Sequence, residues 1–207
     1  MLTPEQFLGF LTAAILITLS PGPDNMMVLG VGIAKGRARG IAFGLGCALG
    51  CLNHTLLAVI GVSALIAASP TAFTALKIAG GLYLVWMGFQ ALRSRGAAQA
   101  RSGVPDEPAR QLFFKGLLAN AINPKVVLFF LSFLPQFVLP SRGDANWQIG
   151  WLGLIFTVQA ALLFGLLGYF SGAIGQWLNR TPRAGMWLDR IAGAIFVGLG
   201  LRLIVAR

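Results

Sequence analysis

The chain has 207 residues, 57% of them hydrophobic and 11% charged, with a mean hydropathy of +0.78. A soluble domain this apolar would expose large sticky patches, whereas lipid tolerates them, so the composition excludes a soluble fold and leaves no length for a separate catalytic domain. The net charge of +10 reads as topogenic rather than as a nucleic-acid footprint, because the basic residues cluster between apolar segments.

Six segments of about 20 apolar residues, each able to cross a hydrocarbon core of about 30 Å, fall at roughly 7–33, 41–68, 72–92, 112–139, 148–178 and 186–206. None alternates strictly, which argues against a membrane barrel. The predicted class is all-α: a polytopic membrane protein of about six transmembrane helices, with residues 1–207 forming one transmembrane domain. The first twenty residues carry no Lys or Arg and no small-x-small site, so no cleaved signal is expected there.

Segment 1 is interrupted by Pro21-Gly22-Pro23, with Asp24 and Asn25 directly after. Proline removes a backbone donor and clashes with the preceding turn, which predicts a kink or unwinding in the middle third of the bilayer. Lys35, Arg37 and Arg39 mark a basic link. Segment 2 opens on Gly36, Gly40 and Gly44 and continues with Gly46 and Gly50, a spacing that lets helices approach closely. Cys47, Cys51 and His54 share one face of it. One helix cannot surround a metal ion and the chain has no other Cys or His, so no metal is expected, while His54 stays a candidate proton carrier.

Segment 3 starts near Lys77, which is expected to snorkel to the outer surface. Residues 94–111 are polar with scattered Gly and Pro, the composition of a mobile cytoplasmic linker. They separate a first three-helix repeat, 1–93, from a second, 112–207. An odd number of spans per half predicts that the halves are inverted relative to one another. Segment 4 is broken at Asn123-Pro124, with Asn120 and Lys125 alongside. Segment 5 carries Gln159 and the pair Gly168 and Gly172; Gln159 and Gln90 read as interhelical glue. Basic residues between segments 1–2, 3–4 and 5–6 place those links in the cytoplasm and both termini outside, against the sense of Arg202 and Arg207.

Matched breaks near mid-membrane point to a solute site. Ionisable groups at that depth are costly and therefore functional candidates. Asp24 has two readings: it caps a half-helix N-terminus, or it meets a substrate ammonium or a proton. Lys125 could face a solute carboxylate, pair with Asp24, or snorkel. The candidate solute-binding set is Pro21, Gly22, Pro23, Asp24, Asn25, Asn120, Asn123, Pro124 and Lys125; the candidates for proton coupling are Asp24 and His54. Catalysis is not expected. The match at Gly61-Val62-Ser63 has its only imidazole, His54, on the same helix about 13 Å away along the axis. There is no zinc-protease, phosphate-loop or Cys-x-x-Cys motif, so no cofactor is implied.

Several stretches carry a family resemblance. They are Ser20-Pro21-Gly22-Pro23-Asp24-Asn25, then Gly36-Arg37-Ala38-Arg39-Gly40, then Leu76-Lys77-Ile78-Ala79-Gly80-Gly81. Asn120-Ala121-Ile122-Asn123-Pro124-Lys125 follows, and Trp187-Leu188-Asp189-Arg190 echoes the last span. Together they resemble, over nearly the whole chain, the LysE/RhtB family of bacterial amino-acid exporters. The resemblance implies proton-driven efflux of amino acids or derivatives of the homoserine, threonine or lysine kind across a bacterial inner membrane. It implies alternating access, with an amino-acid solute, protons and the lipid bilayer as partners and no nucleic acid; a homo-oligomer is left open. Its motif positions here are Pro21 to Asn25 and Asn123 to Lys125. Members of the family also carry Asn where this chain has Asp24, which turns Asp24 toward solute contact or capping. The rival readings are efflux of a metal or other small cation, and a membrane protein that transports nothing.

Overall fold

The computed structural model of the chain describes residues 2–94 and 107–205, with the side chains at 62–68, 70 and 182 excepted. Among the described residues the elements are all helical. They are α1 (Pro4–Leu19), α2 (Pro23–Lys35), α3 (Arg37–Ala68), α4 (Pro70–Arg93), α5 (Ala109–Ala121), α6 (Pro124–Phe137), α7 (Ala145–Tyr169), α8 (Ser171–Arg180) and α9 (Pro182–Val205). Pro4, Pro23, Pro70, Pro124 and Pro182 each open a helix, where a missing N–H costs no hydrogen bond. Thr3 and Gln6 close a reciprocal cap on α1, and the Asp144 side chain caps α7 through the Trp147 N–H.

Both predicted breaks are present. α1 stops at Leu19 because Ser20 precedes a proline and is driven out of the helical region; α2 leaves at 55° to it. α5 and α6 meet at 49° across Ile122 and Asn123. α3, α4 and α7 are each long and apolar enough to cross a membrane alone, and the two bent pairs do so as pairs. The chain is thus an all-α polytopic membrane protein with three to five such spans. The sixth predicted span, 186–206, falls on α9, which is not among the helices counted above.

Two boundaries differ from the sequence expectation. Segment 148–178 is two helices: α7 ends at Tyr169, and Ser171 turns its hydroxyl back to the Gly168 carbonyl as α8 begins. The polar residues Gln176, Asn179 and Arg180 lie in α8. The expected linker 94–111 ends sooner, since α5 is helical from Ala109; its residues 95–106 lie outside the described residues, as does Arg207. Gln90 is exposed on α4 instead of joining helices within the chain.

Packing is led by small residues. α3 runs along both α5 and α7, and α4 runs along α9. A Cβ at Gly46 would strike the Phe113 carbonyl, and one at Gly116 the Phe43 carbonyl, so α3 and α5 touch backbone to backbone. Gly88 and Gly193 do the same for α4 and α9, with 2.7 and 2.6 Å from each ideal Cβ to the partner's carbonyl oxygen. Of the glycines singled out in the sequence, Gly40, Gly44, Gly46, Gly50 and Gly168 pack in this way. Gly172 faces open space, and Gly36 serves the α2–α3 turn at φ 89°, a conformation that disfavours a side chain.

α6 is irregular in a useful way. It widens to a π-turn at Phe129–Phe133 and tightens to a 3₁₀ turn at Leu134–Phe137. The widened turn lets Phe129, Phe130, Ser132 and Phe133 all face inward. Phe10, Phe129, Phe130, Phe133, Phe137 and Phe156 form one aromatic cluster with ring centroids 5.0–6.0 Å apart.

One end of the bundle is basic. Glu107 bonds Lys115 at 2.6 Å and sits 3.8 Å from Lys35; Arg37 lies over the Tyr169 ring, and Ser94 donates to Asp189. The Lys115 hydrogen bond, followed by the Lys115 and Lys35 charges, holds the Glu107 carboxyl below the usual range. At the opposite end Gln6 and Gln148 lace α1, α7 and the end of α6 together, with Gln148 exchanging two bonds of 3.0 Å with the Leu139 backbone.

Candidate functional site

The break after α1 frees backbone carbonyls that a continuous helix would use. Lys125, two residues into α6, fills this gap: its Nζ donates to the carbonyls of Ile17 and Ser20, both at 3.1 Å. The side chain is 3% exposed. The amine lies on Gly22, where an ideal Cβ would come within 2.8 Å of Nζ. Gly22 has an extended backbone, so its role is space and not conformational freedom. In Pro21-Gly22-Pro23 the prolines open the helix and the glycine admits the lysine.

The second break answers the first. Asn120, the last buried residue before it, donates through Nδ2 to Asp24 Oδ2 at 2.7 Å. Asp24 lies in the first turn of α2, where the helix dipole favours a carboxylate. The Asn120 carbonyl accepts from His54 Nε2 at 3.0 Å, and its Oδ1 faces the Cys51 thiol at 3.6 Å. Asn123 caps α6 by accepting from the Lys125 N–H. Asn25 donates to the Thr18 carbonyl at 2.8 Å and Gln159 to the Thr18 hydroxyl at 2.9 Å. Each break therefore carries a residue that satisfies the other.

Three amide atoms here stay unmatched. Asn25 Oδ1, Gln159 Oε1 and Asn123 Nδ2 are buried without a hydrogen-bond partner, and such groups in a native interior call for an explanation. Asp24 and Lys125 line the same enclosed cavity with Thr18, Cys51 and Asn120, yet form no ion pair with one another. The cavity is about 10 Å³, room for at most one water. The centre is closed.

Larger spaces lie at both ends of it. Toward the basic end a cavity of about 300 Å³ between α2, α8 and α9 reaches Pro21 and Asn25, with Trp177 and Asp189 in its wall. Toward the other end is a vestibule of about 770 Å³ bearing Gln6, Lys77, Gln136 and Arg202. Phe129 lines the centre and Phe133 the vestibule, their rings stacked 5.3 Å apart. The aromatic cluster thus lies between the two spaces.

The structure brings Asp24, Asn120 and Lys125 to one cavity, with Gly22 against the Lys125 amine, Asn25 bonded to the Thr18 carbonyl and lining the cavity toward the basic end, Asn123 capping α6, and Pro21, Pro23 and Pro124 at the breaks. His54 stands behind Asn120, packed on Phe130 with centroids 5.7 Å apart, and does not line the cavity. Sequence reasoning missed Thr18, and it missed the Ile17 and Ser20 carbonyls, because backbone acceptors leave no trace in residue type. It read Gln159 only as glue; a lone amide in an apolar span was the available signal.

The chain matches the family of LysE type translocators over residues 15–207. It is 33% identical to the threonine efflux protein of Escherichia coli, across 96% of this chain and 98% of that protein. It is 28% identical to the homoserine/homoserine lactone efflux protein of Salmonella typhi, across 100% and 99%. An uncharacterized membrane protein of Vibrio cholerae is 30% identical, across 97% of both chains. No solved structure matches.

Proposed function

Because the chain belongs to the LysE type translocators, a transporter family and not an enzyme family, we propose that it exports amino acids of the threonine and homoserine type, or close derivatives, across a bacterial inner membrane. The observation that carries this reading is the set of unmatched groups around the two breaks. Asn25 Oδ1 and Gln159 Oε1 are free acceptors, and Asn123 Nδ2 is a free donor. An amino-acid zwitterion offers the complement: its ammonium donates to the acceptors and to Asp24, and its carboxylate accepts from Asn123. Lys125 spends two of its three N–H groups on carbonyls and adds positive potential beside the carboxylate.

Transport would proceed by alternating access between two inverted repeats, 1–93 and 112–207. α3 on α7 and α4 on α9 are the pairings that a two-fold relation between the halves produces. The basic end faces the cytoplasm by the positive-inside rule, so solute enters through the cavity at Pro21 and Asn25 and leaves past Phe129 and Phe133 into the vestibule. Proton coupling falls to Asp24 and to His54, which reach one another through Asn120. If Asp24→Asn and His54→Gln both retain pH-dependent efflux from loaded vesicles, that assignment is wrong.

The direct test is counterflow in proteoliposomes. Vesicles loaded with unlabelled threonine or homoserine should accumulate the labelled solute transiently. Failure to exchange any amino acid sinks the exporter reading.

A further inference from the structure

Secondary transporters with broken helices hold coupling cations at unwound carbonyls and at half-helix C-terminal ends. The C-terminal end of α1 is such a place, because the Ile17 and Ser20 carbonyls face inward and no helical N–H reaches them. The dipole of α1 adds negative potential there. A Phe196 ring with its centroid 5.7 Å from the Lys125 amine supplies a further surface attractive to cations, and Gly22 leaves the volume open. We propose that the carbonyl end of α1 is a small-cation site specific for a primary ammonium, and that Lys125 is its tethered occupant.

The amine is bonded by carbonyl oxygens alone and not by Asp24, although the carboxylate borders the same cavity. A lysine placed to neutralise Asp24 would form the ion pair; this one is spent on the helix end. A tethered cation means that no dissolved sodium or potassium is needed to hold the break together. It also explains why a chain with so few charges keeps a lysine 3% exposed at its centre. This inference does not depend on which solute is carried.

Removing the tether should turn the occupied site into one that takes free cations. Lys125→Ala deletes the amine together with its stem, leaving room for ethylammonium, whose N–H groups can reach the same two carbonyls. The experiment follows thermal unfolding of the purified, detergent-solubilised protein during titration with ethylammonium chloride, sodium chloride or tetramethylammonium chloride. Ligand that binds only the folded state raises the melting midpoint in a saturable way. The expected result is a midpoint for Lys125→Ala that climbs by several degrees with ethylammonium, less with sodium, and not with tetramethylammonium, which has no N–H to donate. The wild type should respond to none of them. Lys125→Gln, whose amide can still donate to a carbonyl, should respond more weakly than Lys125→Ala. Recovery of folded Lys125→Ala only when ethylammonium is present during purification is the same result in another form. The proposal is overturned if Lys125→Ala stays unfolded in its presence, if tetramethylammonium acts equally well, or if the wild type is stabilised as much as the variant. Because the readout is stability, its failure is separate from a failure of amino-acid counterflow.

Discussion

The bond from Asn120 to Asp24 joins the two helix breaks, and its strength can be measured. Asn120 is fully buried and donates at 2.7 Å to a buried carboxylate. A hydrogen bond to a charged group contributes about 1.5–3 kcal/mol. Asn120→Ala also merges its own volume with the adjoining cavity, making space for water that rehydrates Asp24, so the cost should sit at the lower end, about 1.5–2 kcal/mol. Asp24→Asn keeps an acceptor for Asn120 but removes the charge, and a neutral bond is roughly half as strong. A double-mutant cycle on unfolding free energy in mixed micelles should therefore return a coupling of about 1 kcal/mol between the two positions. Additivity within ~0.5 kcal/mol would show that the breaks are not joined through this bond and would refute the reasoning.

Other consequences are local. Gly116→Ala drives a methyl into the Phe43 carbonyl and should destabilise by about 1–3 kcal/mol, whereas Gly165→Ala meets open space and should be neutral or stabilising by up to ~1 kcal/mol; thermal melts of the two variants decide it. Glu107 titrates below the ordinary carboxylate range because of the Lys115 hydrogen bond and the Lys115 and Lys35 charges. A depressed folded pKa means that its stabilisation is present above the unfolded value and lost as pH falls through the folded one. The wild type should accordingly lose melting temperature on acidification, and Glu107→Gln should lose less; equal losses would remove Glu107 from the account.

Much of this was legible in the sequence, for physical reasons that differ by residue. Pro21, Pro23 and Pro124 act through the covalent geometry of their own ring, so the breaks could be placed without a structure. Asp24, Asn120 and Lys125 stood out because polarity is costly in lipid. What could not be read was the pairing. The sequence leaves Lys125 to face a solute, Asp24 or the membrane surface, whereas it lies on backbone carbonyls that every residue possesses. The boundary between α7 and α8 at Phe170 has no proline to mark it, and the flanking Gly168 and Gly172 read as a packing pair. The π-turn in α6 likewise has no signature beyond a run of inward-facing phenylalanines.

The central claim is that amino acids cross at the closed centre between the two breaks. Counterflow of labelled threonine or homoserine by purified Asn120→Ala, measured beside Gly165→Ala at equal protein density, tests it most directly. The expected result is at least about a tenfold slower exchange in Asn120→Ala, corresponding to ~1.4 kcal/mol, with Gly165→Ala at the wild-type rate. Exchange by Asn120→Ala as fast as by the wild type would contradict a solute path through this centre.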